Sequence, residues 1–324
     1  MKVGIVGAGI CGLAAARYLQ KLGHTVVVLE KNERVGGRVA TRRDGGFVWD
    51  AGATSIAPRG KRIESALLQE LDTDGLVKIE KPIYLHDGLR VRPGFPSGAV
   101  RYTYISGIQT FAERLAEGID VRLGQNVEEI EPLGAGYSIL GEAVDALILT
   151  PPIPQTTLLL WRLSDSRPMA NVHYRQCLAV MLGYNNALPQ TSYHALLDAE
   201  QIHPMTWLSL ESVKSPGRAP EGGSAICVQL SSAYSQTHFD QEDAKIIQTV
   251  VGFMERLYGS AFRAPAVSNT VRWKYSQPES FANFEHVNRK GSKLLIASDG
   301  LIGGHVEDAY EIGTRTAELL VEED

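Results

Sequence analysis

The stretch that most constrains this chain is Lys2 to Arg38, KVGIVGAGICGLAAARYLQKLGHTVVVLEKNERVGGR. A short apolar run, Lys2 to Val6, leads directly into Gly7-Ala8-Gly9-Ile10-Cys11-Gly12, and an alanine- and leucine-rich segment follows to about Leu22. Strand, glycine turn and helix in that order are the context that gives a GxGxxG pattern its meaning. Gly7 is expected to make the tight turn, Gly9 to let the backbone approach a pyrophosphate, and Gly12 to let helix and strand pack closely. Such a site binds an anionic dinucleotide through backbone amides. Gly23 ends the helix, Thr25 to Leu29 (TVVVL) reads as a buried parallel strand, and Glu30 falls at its carboxyl end. A carboxylate placed there, 18 positions beyond Gly12, accepts hydrogen bonds from a ribose diol. The fingerprint alone does not choose between NAD and FAD.

The choice comes from the residues beyond it: Glu30-Lys31-Asn32-Glu33-Arg34-Val35-Gly36-Gly37-Arg38, then Thr41-Arg42-Arg43 and Asp50-Ala51-Gly52-Ala53. A second glycine pair before an arginine, with a DxGA stretch soon after, resembles the FAD-dependent amine oxidase superfamily, which includes monoamine and polyamine oxidases, protoporphyrinogen oxidase, phytoene desaturases and renalase. The resemblance implies that Ile10, Cys11, Lys31, Gly37, Arg38, Gly52, Ala53 and Thr54 lie along FAD with Gly7, Gly9, Gly12 and Glu30. Glycines let backbone reach a ligand, and guanidinium groups offer charge-assisted donors to phosphate. Near the other end, Lys293 to Ser298 (KLLIAS) reads as a buried strand before Asp299-Gly300-Leu301-Ile302-Gly303-Gly304-His305-Val306-Glu307 and a helix to about Val321. This resembles the superfamily's closing flavin motif and implies that Asp299 meets the ribityl-pyrophosphate region, with Gly304, Val306 and Glu307 close by. A helix N-terminus there would favour negative charge on the flavin pyrimidine.

The expected fold is therefore α/β: a Rossmann-type FAD-binding domain with an inserted α+β substrate domain, as in amine oxidases and renalase. Residues 1–76, 107–160 and 288–324 are assigned to the FAD-binding domain, and 77–106 and 161–287 to the substrate domain. In order, Gly60 to Leu71 reads as helix, and Leu76 to Arg92 as short strands broken by a hairpin at Asp87-Gly88. Pro93 to Gly98 reads as a turn, and Gly107 to Ala116 as helix. Ile119 to Leu123, Val127 to Glu131, Tyr137 to Leu140 and Ala143 to Leu149 read as strands, and Ile153 to Trp161 as helix. The resemblance sets Val127 by the adenine, although an ordinary strand valine is an equal reading, and it adds Thr150 to the cofactor set. A long helix capped by Asp240 carries an apolar stripe of Ile246, Ile247, Val250, Val251, Met254 and Leu257. Pro216 to Gly223 (PGRAPEGG) reads as a surface loop.

Arg272-Trp273-Lys274-Tyr275-Ser276-Gln277-Pro278 resembles a pattern in bacterial renalase-like proteins, where such aromatics could wall the substrate face; as ordinary core residues they are equally well placed. Period-two alternation would turn Lys274 away from Trp273 and Tyr275, so that both cannot face the pocket. His305, in the closing motif, either meets the flavin edge or caps the helix. Trp273, Tyr275 and His305 are the candidate catalytic residues. Two departures stand out: Ser298-Asp299 where the family usually has Gly-Asp, and His305 where arginine is common. Cys11, at a helix start, is either a thiol of lowered pKa that senses redox state or a small packed residue. Monoamine oxidases tie flavin to a cysteine near the closing motif, but no cysteine lies beyond Cys227, so FAD is expected to be non-covalent.

Composition narrows the setting. With 44% hydrophobic and 21% charged residues among 324, the chain reads as globular and large enough for two lobes. A net charge of −5 argues against nucleic-acid and anionic-membrane binding. Cys11, Cys177 and Cys227 have no CxxC spacing, and no histidine pair has metal-ligand spacing, so neither disulfides nor a metal are expected. A reducing cytoplasm fits. The N-terminus mimics a signal peptide, but cleavage would remove the phosphate-binding glycines. No apolar run approaches the roughly 20 residues of a spanning helix.

The whole-chain resemblance to renalases implies an FAD oxidase that takes hydride from a mis-reduced dihydro isomer of a nicotinamide dinucleotide and passes electrons to molecular oxygen, giving hydrogen peroxide. Two other readings stand beside it: a flavin amine oxidase acting on a small amine, and an FAD-binding protein whose flavin is structural or regulatory.

Overall fold

The computed structural model describes residues 1–88, 90–94 and 98–322. Four largely apolar, buried strands and one polar, exposed edge strand form one wholly parallel sheet, ordered Leu294–Ile296, Ala146–Leu149, Lys2–Val6, Thr25–Leu29 and, at the edge, Asp120–Arg122. Helices Ile10–Lys21 and Val306–Val321, from opposite ends of the chain, pack against one another. Their backbones approach so closely that a β-carbon on Gly313 would lie 2.1 Å from the Cys11 carbonyl oxygen. That contact brings the two glycine-rich motifs side by side.

The second lobe is a seven-stranded sheet ordered Val267–Pro278, Tyr174–Tyr184, Ser224–Leu230, Met205–Leu210, Ala195–Leu197, Ile83–His86, Val91–Pro93. All neighbours run antiparallel except Ile83–His86 with Ala195–Leu197. Helix Asp243–Tyr258 covers one face and buries Ile246, Val250, Phe253 and Met254 against Leu178, Val180, Leu182, Ile226 and Val228. The hairpin Thr41–Asp44 and Phe47–Asp50 seats Phe47 and Trp49 on Met181, Ala225 and Cys227 of this sheet, and the Trp49 indole donates to the Leu182 carbonyl at 3.1 Å. Strand Tyr102–Tyr104 pairs with Leu76–Lys78, and Tyr104 is buried in the core of the parallel-sheet lobe.

The Asp87-Gly88 hairpin is present, whereas Leu89 and the Phe95 to Ser97 part of the expected turn lie outside the described residues. Several expectations are corrected. Asp240 does not cap the long helix: Glu242 is the N-cap, because Arg272 donates to the carbonyls of Phe239 and Gln241 and holds that segment as a turn. Val127 to Ile130 is irregular, and the strand begins at Glu131; the Glu128 carbonyl accepts from Arg162 instead of a ladder partner. The Gly60 to Leu71 helix runs as α over Lys61–Ser65 and as a π turn over Ala66–Glu70. Pro216 to Gly223 is not wholly a surface loop, since Arg218 within it is fully buried. No helix among the described residues is long and apolar enough to cross a membrane.

Candidate functional site

Gly7 has φ +102°, a conformation L side chains rarely adopt, and a β-carbon there would strike the Thr150 hydroxyl at 2.4 Å. Thr150 fixes the turn by donating to the carbonyls of Val6 at 2.8 Å and Gly7 at 3.2 Å. On Gly12 a β-carbon would meet the Gly7 carbonyl oxygen at 2.0 Å, whereas on Gly9 it would meet nothing within 4 Å. Gly12 is therefore a packing glycine and Gly9 opens on free space. Gly9 is the N-cap of Ile10–Lys21, whose first turn holds no acid. Glu30 is buried; its carboxylate accepts from the backbone N–H of Ala8 and of Asn32, both at 2.9 Å, which ties the end of the second strand to the turn.

The second glycine pair rests on the first. Gly36 donates its N–H to the Ala8 carbonyl at 2.8 Å, and a β-carbon on Gly37 would come 3.5 Å from the Gly9 Cα. Gly52 leaves no room for a side chain, since its β-carbon would lie 1.9 Å from the Arg38 carbonyl oxygen. Beneath this wall lie four charges with no side-chain exposure: Asp50, Glu211, Lys214 and Arg218. Lys214 Nζ donates to Asp50 at 2.8 Å, to Glu211 and to the Thr54 carbonyl at 3.0 Å; Arg218 donates to Asp50 at 3.0 and 3.2 Å and to the Tyr104 carbonyl at 2.7 Å. Burial alone would raise the Asp50 pKa, but Lys214 and Arg218 together hold it well below the usual carboxylate range. Asp50 ends the Phe47–Asp50 strand that rests on the seven-stranded sheet, and Arg218 also reaches the carbonyl of Tyr104, which is buried in the parallel-sheet core, so the quartet ties the two lobes under the Gly52 to Thr54 wall.

In the closing motif, Asp299 is buried and accepts from Arg38 Nη1 at 2.5 Å, from the Tyr174 hydroxyl at 2.7 Å and from the Gly300 N–H at 3.1 Å. The Arg38 guanidinium is thus committed to a carboxylate rather than left bare for phosphate. His305 is the N-cap of Val306–Val321; its N–H and Nδ1 both pair with Asp308 Oδ2 at 3.0 Å, and its side chain is 59% exposed. Glu307 is buried in the same first turn, accepts from the Ala57 N–H, and has its pKa raised, chiefly by burial.

The aromatic segment differs from the alternation expected of it. Arg175 pairs with Gln277 and Cys177 with Trp273, so Gln176 alone stands opposite Lys274, Tyr275 and Ser276. Bulges of this kind re-aim side chains beside functional sites. Trp273, Lys274 and Tyr275 all line the cavity, which corrects the expectation that the lysine and the aromatics cannot share it. The Trp273 indole donates to the Ala51 carbonyl at 2.8 Å, the Lys274 ammonium lies 5.6 Å from the centre of the Tyr275 ring, and Arg38 Nη1 reaches the freed carbonyls of Ser276 at 3.2 Å and Tyr275 at 3.4 Å.

These parts enclose one cavity of about 1470 Å³. It runs past Gly7, Gly9, Ile10, Cys11, Glu30, Lys31, Gly37, Arg38, Gly52, Ala53, Thr54, Val127, Thr150, Asp299, Gly304, Val306 and Glu307, and it also takes in Trp273, Tyr275 and His305. Of the candidate cofactor and catalytic residues named from the sequence only Gly12 is absent from the lining, as its packing role requires. The volume exceeds the roughly 300–1,000 Å³ of ordinary small-molecule pockets, as a dinucleotide with a second ligand would need. The glycine cradle, the acid-free helix start and the open face of Gly9 fit a flavin dinucleotide. Trp207, Gln176, Gln229, Arg59 and Arg101 also line the cavity but carry no local sequence signal; long-range strand pairing brings them there.

The three cysteines are free and buried. Burial, with Asp299 adding to it, pushes the Cys11 thiol up to about 12, which removes the low-pKa redox-sensor reading. Cys177, which also lines the cavity, is pushed up to about 11 by burial. Among the described residues no three His, Cys, Asp or Glu side chains come together to hold a metal ion.

A family model described as flavin containing amine oxidoreductase matches residues 10–97 and 91–321. A possible lysine-specific histone demethylase 1 of Drosophila melanogaster is 40% identical over 89 residues, which are 27% of this chain and 10% of that protein. A 4,4'-diapophytoene desaturase of Staphylococcus haemolyticus (strain JCSC1435) is 48% identical over 56 residues, 17% of this chain and 11% of that protein. The likeness to these curated relatives therefore spans only about a tenth of their length. A crystal structure of a putative protoporphyrinogen oxidase from Exiguobacterium sp. 255-15 superposes with a TM-score of 0.78 over 98% of each chain at 17% identity, and so shares the fold.

Proposed function

This chain belongs to the flavin containing amine oxidoreductase family, and from that premise we propose that it is a renalase-like FAD oxidase of mis-reduced dihydronicotinamide dinucleotides, with oxygen as acceptor and hydrogen peroxide as product. The observation that carries the reading is the chemistry of the second lobe's wall. The seven-stranded sheet lines the cavity with Arg175, Gln176, Cys177, Leu197, Thr206, Trp207, Gln229, Leu230 and the segment Trp273 to Gln277, and none of these is a carboxylate. A primary amine would arrive as a cation and have to lose a proton before oxidation, which calls for a base that this wall does not offer. A flat, neutral dihydropyridine needs only an apolar slot and correct orientation.

When bound, FAD supplies the two-electron transfer from substrate to oxygen. The chain's part is to hold and orient. Gly7, Gly9 and the start of Ile10–Lys21 would take the pyrophosphate, Glu30 the adenosine ribose, and the start of Val306–Val321 the flavin pyrimidine. Trp273, fixed by its bond to Ala51, and Tyr275, set against Tyr174 at 5.8 Å between ring centres, would hold the dihydropyridine. His305 sits at the rim, where its pairing with Asp308 supports the helix cap rather than a step in catalysis. The protonated thiols of Cys11 and Cys177 support a non-covalent cofactor. Three free, unpaired cysteines suit a reducing compartment such as the cytoplasm.

Oxygen uptake tests the proposal. Dihydronicotinamide dinucleotides reduced at ring positions other than the usual one should consume one oxygen and give one peroxide per molecule oxidised. If a flavin-loaded protein consumes no oxygen with any of them, the proposal fails.

A further inference from the structure

We propose that Arg175 and Lys274 form the site that takes a phosphate group of the substrate, at a side mouth of the cavity. The inference deepens the proposed oxidase function and rests on it for the identity of the substrate.

The geometry begins with the bulge that sets Gln176 alone opposite Lys274, Tyr275 and Ser276. Its outline is held from the cofactor side, because Arg38, itself paired with Asp299, donates to the freed carbonyls of Tyr275 and Ser276. Arg175 borders the bulge on one strand and Lys274 lies within it on the other. A second, smaller pocket of about 230 Å³ lies here. Arg175, Gln176, Ser232, Lys274 and Tyr275 line both this pocket and the main cavity, so the two spaces meet at these residues. The two cations are thus placed together by strand register and by a shared small space.

Both cations are open to a ligand. Arg38 and Arg218 are each committed to a buried carboxylate, whereas the half-buried Arg175 guanidinium has no hydrogen bond or ion pair among the described residues. The exposed Lys274 ammonium meets only the Tyr275 ring, 5.6 Å from its centre. Glu279, the carboxylate that lines the smaller pocket, lies beyond ion-pairing distance of both. A planar guanidinium fork and a compact ammonium are complementary donors to the several oxygens of a phosphate, and such hydrogen bonds are charge-assisted. Position along the chain fits the substrate as well. In a nicotinamide nucleotide only a ribose separates the ring from the first phosphate, and Lys274 lies between Trp273 and Tyr275, the aromatics proposed to hold that ring.

Oxidised nicotinamide nucleotides, which the flavin does not consume, test this apart from turnover. Calorimetric titration of the FAD-loaded protein would compare nicotinamide mononucleotide with nicotinamide riboside, which lacks the phosphate. The mononucleotide should bind about tenfold or more tightly in the wild type. That ratio should fall towards one in Lys274→Gln and in Arg175→Gln, and stay unchanged in Arg289→Ala, an exposed arginine outside both linings. The inference is overturned if the two compounds bind the wild type equally, if Lys274→Gln keeps the full ratio, or if Arg289→Ala lowers it as much. Lys274 is exposed, so its variant keeps the test sound even if Arg175→Gln fails to fold. Inorganic pyrophosphate separates this site from the oxidase reading. If neither nicotinamide compound binds but pyrophosphate does, and more weakly in Lys274→Gln, the substrate reading fails and the anion site stands. Oxidation of dihydronicotinamides with the same KM in wild type and Lys274→Gln would do the reverse, and failure of all three probes to bind would overturn the site.

Discussion

A β-carbon on Gly9 would find no protein atom within 4 Å, and its φ of −76° suits any residue, so the protein itself does not exclude a side chain there; on the proposed reading bound FAD does. Gly9→Val should therefore keep the thermal unfolding midpoint of the cofactor-free chain while abolishing FAD retention. Gly12→Ala should lower that midpoint, because its β-carbon meets the Gly7 carbonyl oxygen at 2.0 Å. Equal loss of stability in both would contradict the division of roles. The packing role of Gly12 was legible because the pattern encodes close approach of helix and strand directly. Arg218 was not legible: prolines and glycines around it read as a surface loop, and only the distant Asp50 and Glu211 explain its burial. His194 makes a further prediction. Burial pulls its pKa down to about 4 from an ordinary value of 6.5, so the unfolded chain binds the extra proton first as pH falls. Stability should be undiminished above about pH 6.5 and fall by roughly 3 kcal/mol towards pH 4. Urea midpoints across that range would show the slope, and His194→Gln should flatten it.

At the scale of elements, the helices and parallel strands were readable from apolar runs and glycine punctuation. What escaped was set by partners remote in sequence. The long helix starts at Asp243 because Arg272 captures the preceding carbonyls, and Lys274 reaches the cavity because Gln176 alone faces three residues of the neighbouring strand. No local periodicity records either fact. The crossing of Ile10–Lys21 and Val306–Val321 is a consequence of Gly313, whose added β-carbon would lie 2.1 Å from the Cys11 carbonyl oxygen. Gly313→Val should force these helices apart, destabilise the protein by about 3 kcal/mol in urea unfolding and weaken FAD binding, since both cofactor motifs move with their helices. An unchanged FAD affinity would show that the crossing does not align the motifs.

Across the whole molecule, the two lobes are joined by Asp50, Glu211, Lys214 and Arg218, all without side-chain exposure. Removing one member strands a buried charge, so Lys214→Met should cost about 3–5 kcal/mol by urea unfolding. The Asp50 pKa lies below its unfolded value of about 3.9, so its stabilising contribution is complete above that pH and fades as pH falls through the lower, folded value. The quartet braces the wall that carries Gly52 to Thr54, while strands of the acid-free seven-stranded sheet also line the cavity. On the proposed function, this cavity presents a neutral dihydropyridine to the flavin. Anaerobic stopped-flow absorbance measures it directly: dihydronicotinamide isomers reduced at unusual ring positions should bleach the flavin faster than benzylamine or a polyamine does, and faster bleaching by either amine would contradict the account.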